Sequence, residues 1–186
     1  MGSLTERQKA IIIGCLLGDG SMRCKDNALL EINHSFKQKA YVDWKYEQLK
    51  RIVPTAPKKR FGNKDRIAYR FTTKSIPELT GIYKRFYTRR KKVIPDDLII
   101  TDLSLAIWLM DDGSKSYRTV YFNTQKFDMR DQRKLIKLLG SQHAIKAKVN
   151  KDKEYWRLRV AVESVGRLSK IVKPHILPCL IYKLPL

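Results

Sequence analysis

Long apolar runs are missing from this 186-residue chain. No stretch approaches the roughly 18 consecutive apolar residues of a membrane-spanning helix, so no membrane association is expected. No secretory signal is recognisable at the start. Met1-Gly2 resembles the opening of a myristoylation signal, but Glu6 stands where Ser or Thr is needed. Cysteine is scarce. Cys15, Cys24 and Cys179 are an odd set without metal-ligand spacing, which argues against a disulfide framework and fits a reducing compartment. The expected location is intracellular, in cytoplasm, nucleoid or an organelle, rather than secreted. Acidic residues are the other shortage: 18 Asp+Glu face 39 Lys+Arg, for a net charge of +21. The excess is spread along the chain, with 22 basic against 8 acidic residues in 1–93 and 17 against 10 in 94–186. A folded, aromatic-containing chain with such a field is built to meet a polyanion, and nucleic acid before anionic membrane.

Against these shortages stand two related stretches. Ile12-Ile13-Gly14-Cys15-Leu16-Leu17-Gly18-Asp19-Gly20 is apolar, rich in glycine and ends in one carboxylate. Leu105-Ala106-Ile107-Trp108-Leu109-Met110-Asp111-Asp112-Gly113 repeats that plan. Both end in Asp-Gly, and Asp19 and Asp112 lie half a chain apart. Further echoes keep the same order: Gln38-Lys39 and Gln125-Lys126, then Lys92-Val93-Ile94-Pro95 and Lys183-Leu184-Pro185. A duplicated unit follows, with half-domains at 1–95 and 96–186 packed as one body.

Periodicity places the motifs on elements. Thr5 and Gln8 have capping-box spacing and open a helix over 6–17, in which Ala10, Gly14 and Gly18 recur on one face. Glycine in a helix costs about 1 kcal/mol against alanine, so close approach of another backbone is expected there. Residues 29–36 alternate as a strand and 38–53 read as an amphipathic helix stopped by Pro54. A basic hairpin follows, Lys58-Lys59-Arg60-Phe61, with a turn at Gly62-Asn63 and a strand over 66–73. A helix over 75–87 closes the first half. The order then restarts: helix 103–110, strand 118–124, helix 130–142, strands 145–150 and 155–162, and helices 164–172 and 174–182. The expected fold class is α+β, with two αββαββα repeats and two antiparallel sheets forming a saddle around the paired motif helices.

The strands alternate greasy and basic faces. Arg23, Lys25, Arg60, Arg66 and Arg70 in the first half are candidates to bind DNA, as are Lys115, Arg118, Lys146, Lys148, Arg157 and Arg159 in the second. A two-stranded ribbon fits the major groove of B-form DNA, where arginine reads guanine. Taken singly, each is as well explained as a solvated strand residue; together they favour nucleic acid.

Asp19 and Asp112 sit at the negative C-terminal ends of their helices, the wrong end for a carboxylate unless a cation lies between them. Two converging carboxylates beside a phosphodiester are what Mg²⁺-dependent hydrolysis uses, because a hard ion takes oxygen ligands and keeps positions for water and phosphate. Mn²⁺ or Ca²⁺ can take the same ligands. Lys92 and Lys183 are candidates to stabilise charge on the phosphate or to assist water, and Gln38 and Gln125 to position water. The bland alternative, aspartates as turn residues before glycine, weakens once the pair is taken together.

Gly14, Gly18, Asp19 and Gly20 in the first copy, and Ala106, Asp112 and Gly113 in the second, resemble the paired signature of the single-chain LAGLIDADG homing endonucleases. Asn123-Thr124-Gln125 and Tyr182-Lys183-Leu184-Pro185 strengthen the likeness, which runs over nearly the whole chain. The resemblance implies a pseudo-symmetric monomer that needs no protein partner. It implies cleavage of both strands of a long, asymmetric double-stranded DNA site with Mg²⁺. It also implies metal ligation by Asp19 and Asp112, with Gly18 and Asp111 adjoining them in the candidate set, Lys92 and Lys183 as the basic active-site positions, and Gln38 and Gln125 as the solvent-organising ones. Three departures stand in the second copy: Ile107 replaces the packing glycine, Met110 an often acidic residue, and Asp111 the small residue before the acid. The rival expectation is a relative that binds without cutting, such as an intron RNA maturase or a DNA-binding regulator.

Overall fold

Thr5 starts the first helix as its sequence predicts. Its hydroxyl accepts from the Gln8 N–H at 3.1 Å and the Gln8 side chain accepts from the Thr5 N–H at 3.1 Å, so two orphan donors are satisfied reciprocally. The computed structural model describes residues 3–62 and 66–184. The first repeat runs α1 (Glu6–Leu17), β1 (Ser21–Cys24), β2 (Ala28–Ser35), α2 (Lys39–Leu49), β3 (Lys58–Phe61), β4 (Ile67–Thr72) and α3 (Pro77–Phe86). A short hairpin, β5 (Tyr87–Thr88) and β6 (Lys91–Lys92), leads to the second repeat. That repeat is α4 (Asp102–Asp112), β7 (Gly113–Lys115), β8 (Val120–Phe122), α5 (Met129–His143), β9 (Ala147–Asp152), β10 (Tyr155–Val160) and α6 (Val162–Val172). This is the expected α+β duplication. Each repeat carries a four-stranded antiparallel sheet, in the orders β1-β2-β4-β3 and β7-β8-β10-β9.

The two motif helices α1 and α4 pack against each other at the centre. Both are buried over most of their surface, as helices apolar on all sides must be. Their contact is one-sided. A Cβ on Gly14 would lie 2.7 Å from Ile107 Cβ and 2.8 Å from the Ser104 carbonyl oxygen. The glycine in α1 therefore makes room for the isoleucine in α4, and a second glycine is not required. Ser104 Oγ also donates to the Ala10 carbonyl at 2.8 Å, tying the two backbones together. Trp108 finds its place away from this contact, stacked on Phe122 of β8 with ring centroids 4.1 Å apart.

Beyond these helices the sheets turn one face inward. In β2, Ala28, Leu30, Ile32 and His34 are buried, and in β4 Tyr69 and Phe71. In β10, Leu158 and Val160 are buried while Arg157 and Arg159 alternate with them.

Some local readings change. The helix expected over 38–53 ends at Leu49 and finishes as a 3-10 turn at Lys50–Ile52. The one expected over 174–182 is two 3-10 turns, Lys173–His175 and Pro178–Lys183, because Pro174 and Pro178 remove donors a longer helix needs. Strand β7 and the β5–β6 hairpin are too short to show a period. The hairpin turns on Arg89 and Arg90, at φ 48° and 66°. Of the expected turn at Gly62-Asn63, Gly62 donates to the Arg66 carbonyl at 2.8 Å, and Asn63 lies outside the described residues.

Candidate metal and nucleic-acid site

The ends of α1 and α4 deliver Asp19 and Asp112 to the same place by different routes. Asp112 is the last residue of α4, whereas Asp19 stands two residues past the end of α1. Burial raises the pKa of both carboxyls, and Asp111 and Asp112 raise that of Asp19 further. Like charges are thus held close, and one cation already answers them. The Lys126 ammonium lies 2.7 Å from Asp112 Oδ2 and also donates to the Gly18 carbonyl. A carboxylate of the second repeat and a carbonyl of the first therefore bracket one positive charge. These are hard oxygen donors, so Asp112, the Gly18 carbonyl and the nearby Asp19 fit a divalent ion. Among the described residues no three His, Cys, Asp or Glu side chains cluster as a complete protein-only metal site.

The two lysines expected at the site share a position under the helix ends. Lys92 donates to the carbonyls of Leu16 at 2.9 Å and Gly20 at 2.6 Å. Lys183 donates to those of Met110 and Asp111, the latter at 3.0 Å. Each therefore satisfies orphan carbonyls and offsets the negative end of a motif helix. Burial and the neighbouring Lys126 push Lys92 down to about 7, and burial also lowers Lys183. Gln125 donates to Asp152 Oδ2 at 3.1 Å, and Gln38 hydrogen-bonds with His34.

Asp111 does not face the same way as Asp112. Its side chain is fully buried, with Oδ1 accepting from Tyr41 Oη and from Lys45 Nζ at 2.7 Å each. Its Oδ2 accepts from the Asp19 N–H at 3.2 Å. Burial by itself raises the Asp111 pKa, but Lys45, His34 and Tyr41 overcome this and hold the carboxyl below the usual carboxylate range. His34 completes the cluster, with Nδ1 3.6 Å from Asp19 Oδ2 and Nε2 3.1 Å from Lys45 Nζ. Lys126, noted from sequence only as part of a repeated Gln-Lys pair, and His34, Lys45 and Tyr41 are not among the site residues expected from sequence. Weak signals exist: His34 shares the apolar face of its strand, and Lys45 lies at helical spacing from Tyr41 and Leu49 on the buried face of α2.

The strand arginines divide. Arg70 faces Lys58 across β3 and Asn33 across β2, and Arg60 faces Ala68. In the second sheet Arg159 faces Lys148, and Arg157 faces Asn150 while lying over the Tyr121 ring at 4.2 Å. Two directly opposed like-charge pairs, Lys58/Arg70 and Lys148/Arg159, cost stability in a free sheet and are relieved by a polyanion. Arg23 is already paired with Glu31 at 3.0 Å. Lys25 and Arg118 are in turns, Arg66 precedes β4, and Lys115 is level with the buried Val120, on the opposite parity to Tyr121. Lys146 lies 3.9 Å from Glu163 of α6. A cavity of about 1030 Å³ opens beside Asp19, His34 and Gln38 and runs along the first sheet to Arg66 and Ala68. Among the described residues no helix is long and apolar enough to cross a membrane.

Comparison with known proteins agrees with this fold. The structure is similar to the homing endonuclease I-WcaI bound to its DNA recognition sequence, with a TM-score of 0.92 and 25% identity over 100% of this chain and 89% of that one. In sequence it is 28% identical to a probable intron-encoded endonuclease 1 of Wickerhamomyces canadensis, over 98% of this chain and 85% of the relative. It is 30% identical to the cytochrome b mRNA maturase bI2 of Saccharomyces cerevisiae, over 99% of this chain and 48% of that protein. The chain thus spans about half the length of the maturase. The model of the LAGLIDADG DNA endonuclease family matches residues 9–168. Those residues contain most of α1, all of α4 and both four-stranded sheets, and the chain belongs to the LAGLIDADG DNA endonuclease family.

Proposed function

We propose that this chain is a site-specific endonuclease that hydrolyses both strands of a long, asymmetric DNA target with Mg²⁺. One observation carries the reading: oxygen donors from both motif-helix ends bracket a single cation position, now taken by the Lys126 ammonium, with the basic sheet faces beside it. Asp112, the Gly18 carbonyl and Asp19 would hold a divalent ion here, and such an ion would supply charge neutralisation at the scissile phosphate and a lowered pKa for bound water. Lys126 holds this position in the protein alone; displaced by a bound ion, its charge would be available to the phosphate. Lys92 and Lys183 keep the helix ends neutral enough for two carboxylates to remain together. The strand faces carrying Arg60, Arg70, Lys148, Arg157 and Arg159 hold the duplex, mainly through phosphates, with the arginines placed to read bases. The remaining basic candidates, Arg23, Lys25, Arg66, Lys115, Arg118 and Lys146, contribute at the margins. Since the halves differ in sequence, the target is continuous and asymmetric.

The test is selection of cleavable sites from a randomised DNA library with Mg²⁺, repeated with EDTA and with Asp19→Asn and Asp112→Asn. Recovery of one site family by the parent chain, with loss of double-strand cutting in all three controls, is the expected result. Undiminished cutting by either variant would overturn the assignment of the acids. The likeness to a cytochrome b mRNA maturase favours a second reading, assistance of intron RNA splicing by the same fold. Stimulated splicing without DNA cutting would select it.

A further inference from the structure

Asp19 and Asp112 occupy matching positions but are held differently. Asp112 belongs to α4, and its backbone is set by that helix. Asp19 lies past the last helical residue of α1, so its N–H needs an acceptor from elsewhere. Asp111 supplies it across the repeat interface, through Oδ2 at 3.2 Å. The carboxylate can reach because its neighbour is Gly18: a Cβ there would meet Asp111 Cβ at 2.3 Å. Its other oxygen is fixed by Tyr41 and Lys45 of α2, both fully buried.

Among the described residues nothing equivalent supports Asp112. The residue before Asp19 is glycine, which has no carboxylate to offer in return. The residue that follows Gln125 at the interval separating Lys45 from Gln38 is Gln132. Its amide donates to the carbonyls of Phe127 and Trp156, at 3.2 and 2.9 Å, instead of to an acid. The buried network is therefore single in a protein whose active groups are double.

We propose that Asp111, with Lys45 and Tyr41, is a positioning residue for Asp19 alone, and that through it one DNA strand is cut under different control from the other. The strand-cutting part rests on the endonuclease reading above; the positioning part does not. An ion pair removed whole leaves no buried charge behind, so double variants keep the fold. Lys45→Met with Asp111→Ala removes the acceptor of the Asp19 N–H, while Lys45→Met with Asp111→Asn retains an amide oxygen for it.

Two measurements decide. In the protein alone, hydrogen exchange of the Asp19 amide is expected to be slow in the parent, fast in the Ala double variant and slow again in the Asn double variant, with the Asp112 amide unchanged. Equal protection of Asp19 in all three proteins would overturn the positioning role. With the site recovered by library selection and each strand labelled, the Ala variant is expected to slow one strand about 10- to 100-fold relative to the other. The Asn variant is expected to restore most of the loss. Parallel slowing of both strands, or of neither, would overturn the strand control. Failure of the parent chain to cut any DNA would count against the endonuclease reading and leave the amide result standing by its own outcome.

Discussion

At the scale of single residues, the site is a matter of which charges are answered and by what. His34 is the clearest case. Burial and the adjacent Lys45 push its pKa from the ordinary 6.5 down to about 4, against the pull of Asp111 and Asp19. Between those values the unfolded chain binds a proton that the folded chain does not accept. The His34 contribution to stability is therefore fully present above pH 6.5 and is lost as pH falls toward 4. Urea titrations of the metal-free protein across that window should show this slope in the parent and a slope shallower by about one proton in His34→Asn; equal slopes would show that His34 is not the group responsible. Lys92 and Lys183 illustrate a different point. A basic residue next to an acid invites a catalytic reading, but the nearest partners of both ammonium groups are helix-end carbonyls. The roles proposed for Asp19 and Asp112 thus depend on neighbours whose own contacts are made mainly with backbone.

At the scale of elements, glycines in the helices separate into two kinds. Gly14 in α1 faces Ile107 and the Ser104 carbonyl with no room for a methyl group, whereas Gly81 in α3 and Gly140 in α5 have nothing within 4 Å of a built Cβ. Gly14→Ala is expected to cost about 1–3 kcal/mol by overpacking the motif-helix contact. Gly81→Ala and Gly140→Ala are expected to add about 0.4–1 kcal/mol, since only the freedom of the unfolded chain changes. Chemical denaturation of the three variants checks both signs at once, and a stabilised Gly14→Ala would mean that α1 and α4 do not approach as described. The stripe Ala10, Gly14, Gly18 was legible in the sequence because small residues at every fourth position fall on one face. What each one meets was not legible, since the partners come from α4 far along the chain: Ser104 donating to Ala10, Ile107 against Gly14, and Asp111 against Gly18.

At the scale of the whole molecule, a charge of +21 makes the free protein repel itself. The like-charge pairs Lys58/Arg70 and Lys148/Arg159 concentrate that repulsion on the two sheet faces. Added salt is therefore expected to raise the melting temperature of the free protein while steeply weakening its affinity for duplex DNA, as released counterions require. Neutralising Lys58 or Lys148 with Gln should reduce the salt slope of binding by about one charge each. A flat response in filter-binding or anisotropy titrations would count against the sheets as the docking surface. Basic strand faces occur on both repeats of a fold similar to that of a homing endonuclease bound to its DNA recognition sequence.

By itself the sequence determined the architecture. Capping at Thr5, strand alternation, the repeated Asp-Gly helix ends and the spread of basic residues are local signals, read at spacings set by backbone geometry. The approximate element order and the family resemblance follow from them, apart from segments such as β7 and the β5–β6 hairpin, where too few residues exist to show a period. Only the tertiary structure decided how the centre is wired. That Asp111 turns inward to Lys45, that Lys126 stands between Asp112 and Gly18, and that His34 lies under Asp19 depend on contacts between residues in different elements, from 14 to 108 positions apart. A buried charge is tolerated only where its partner arrives in space, and no period within either segment records that meeting.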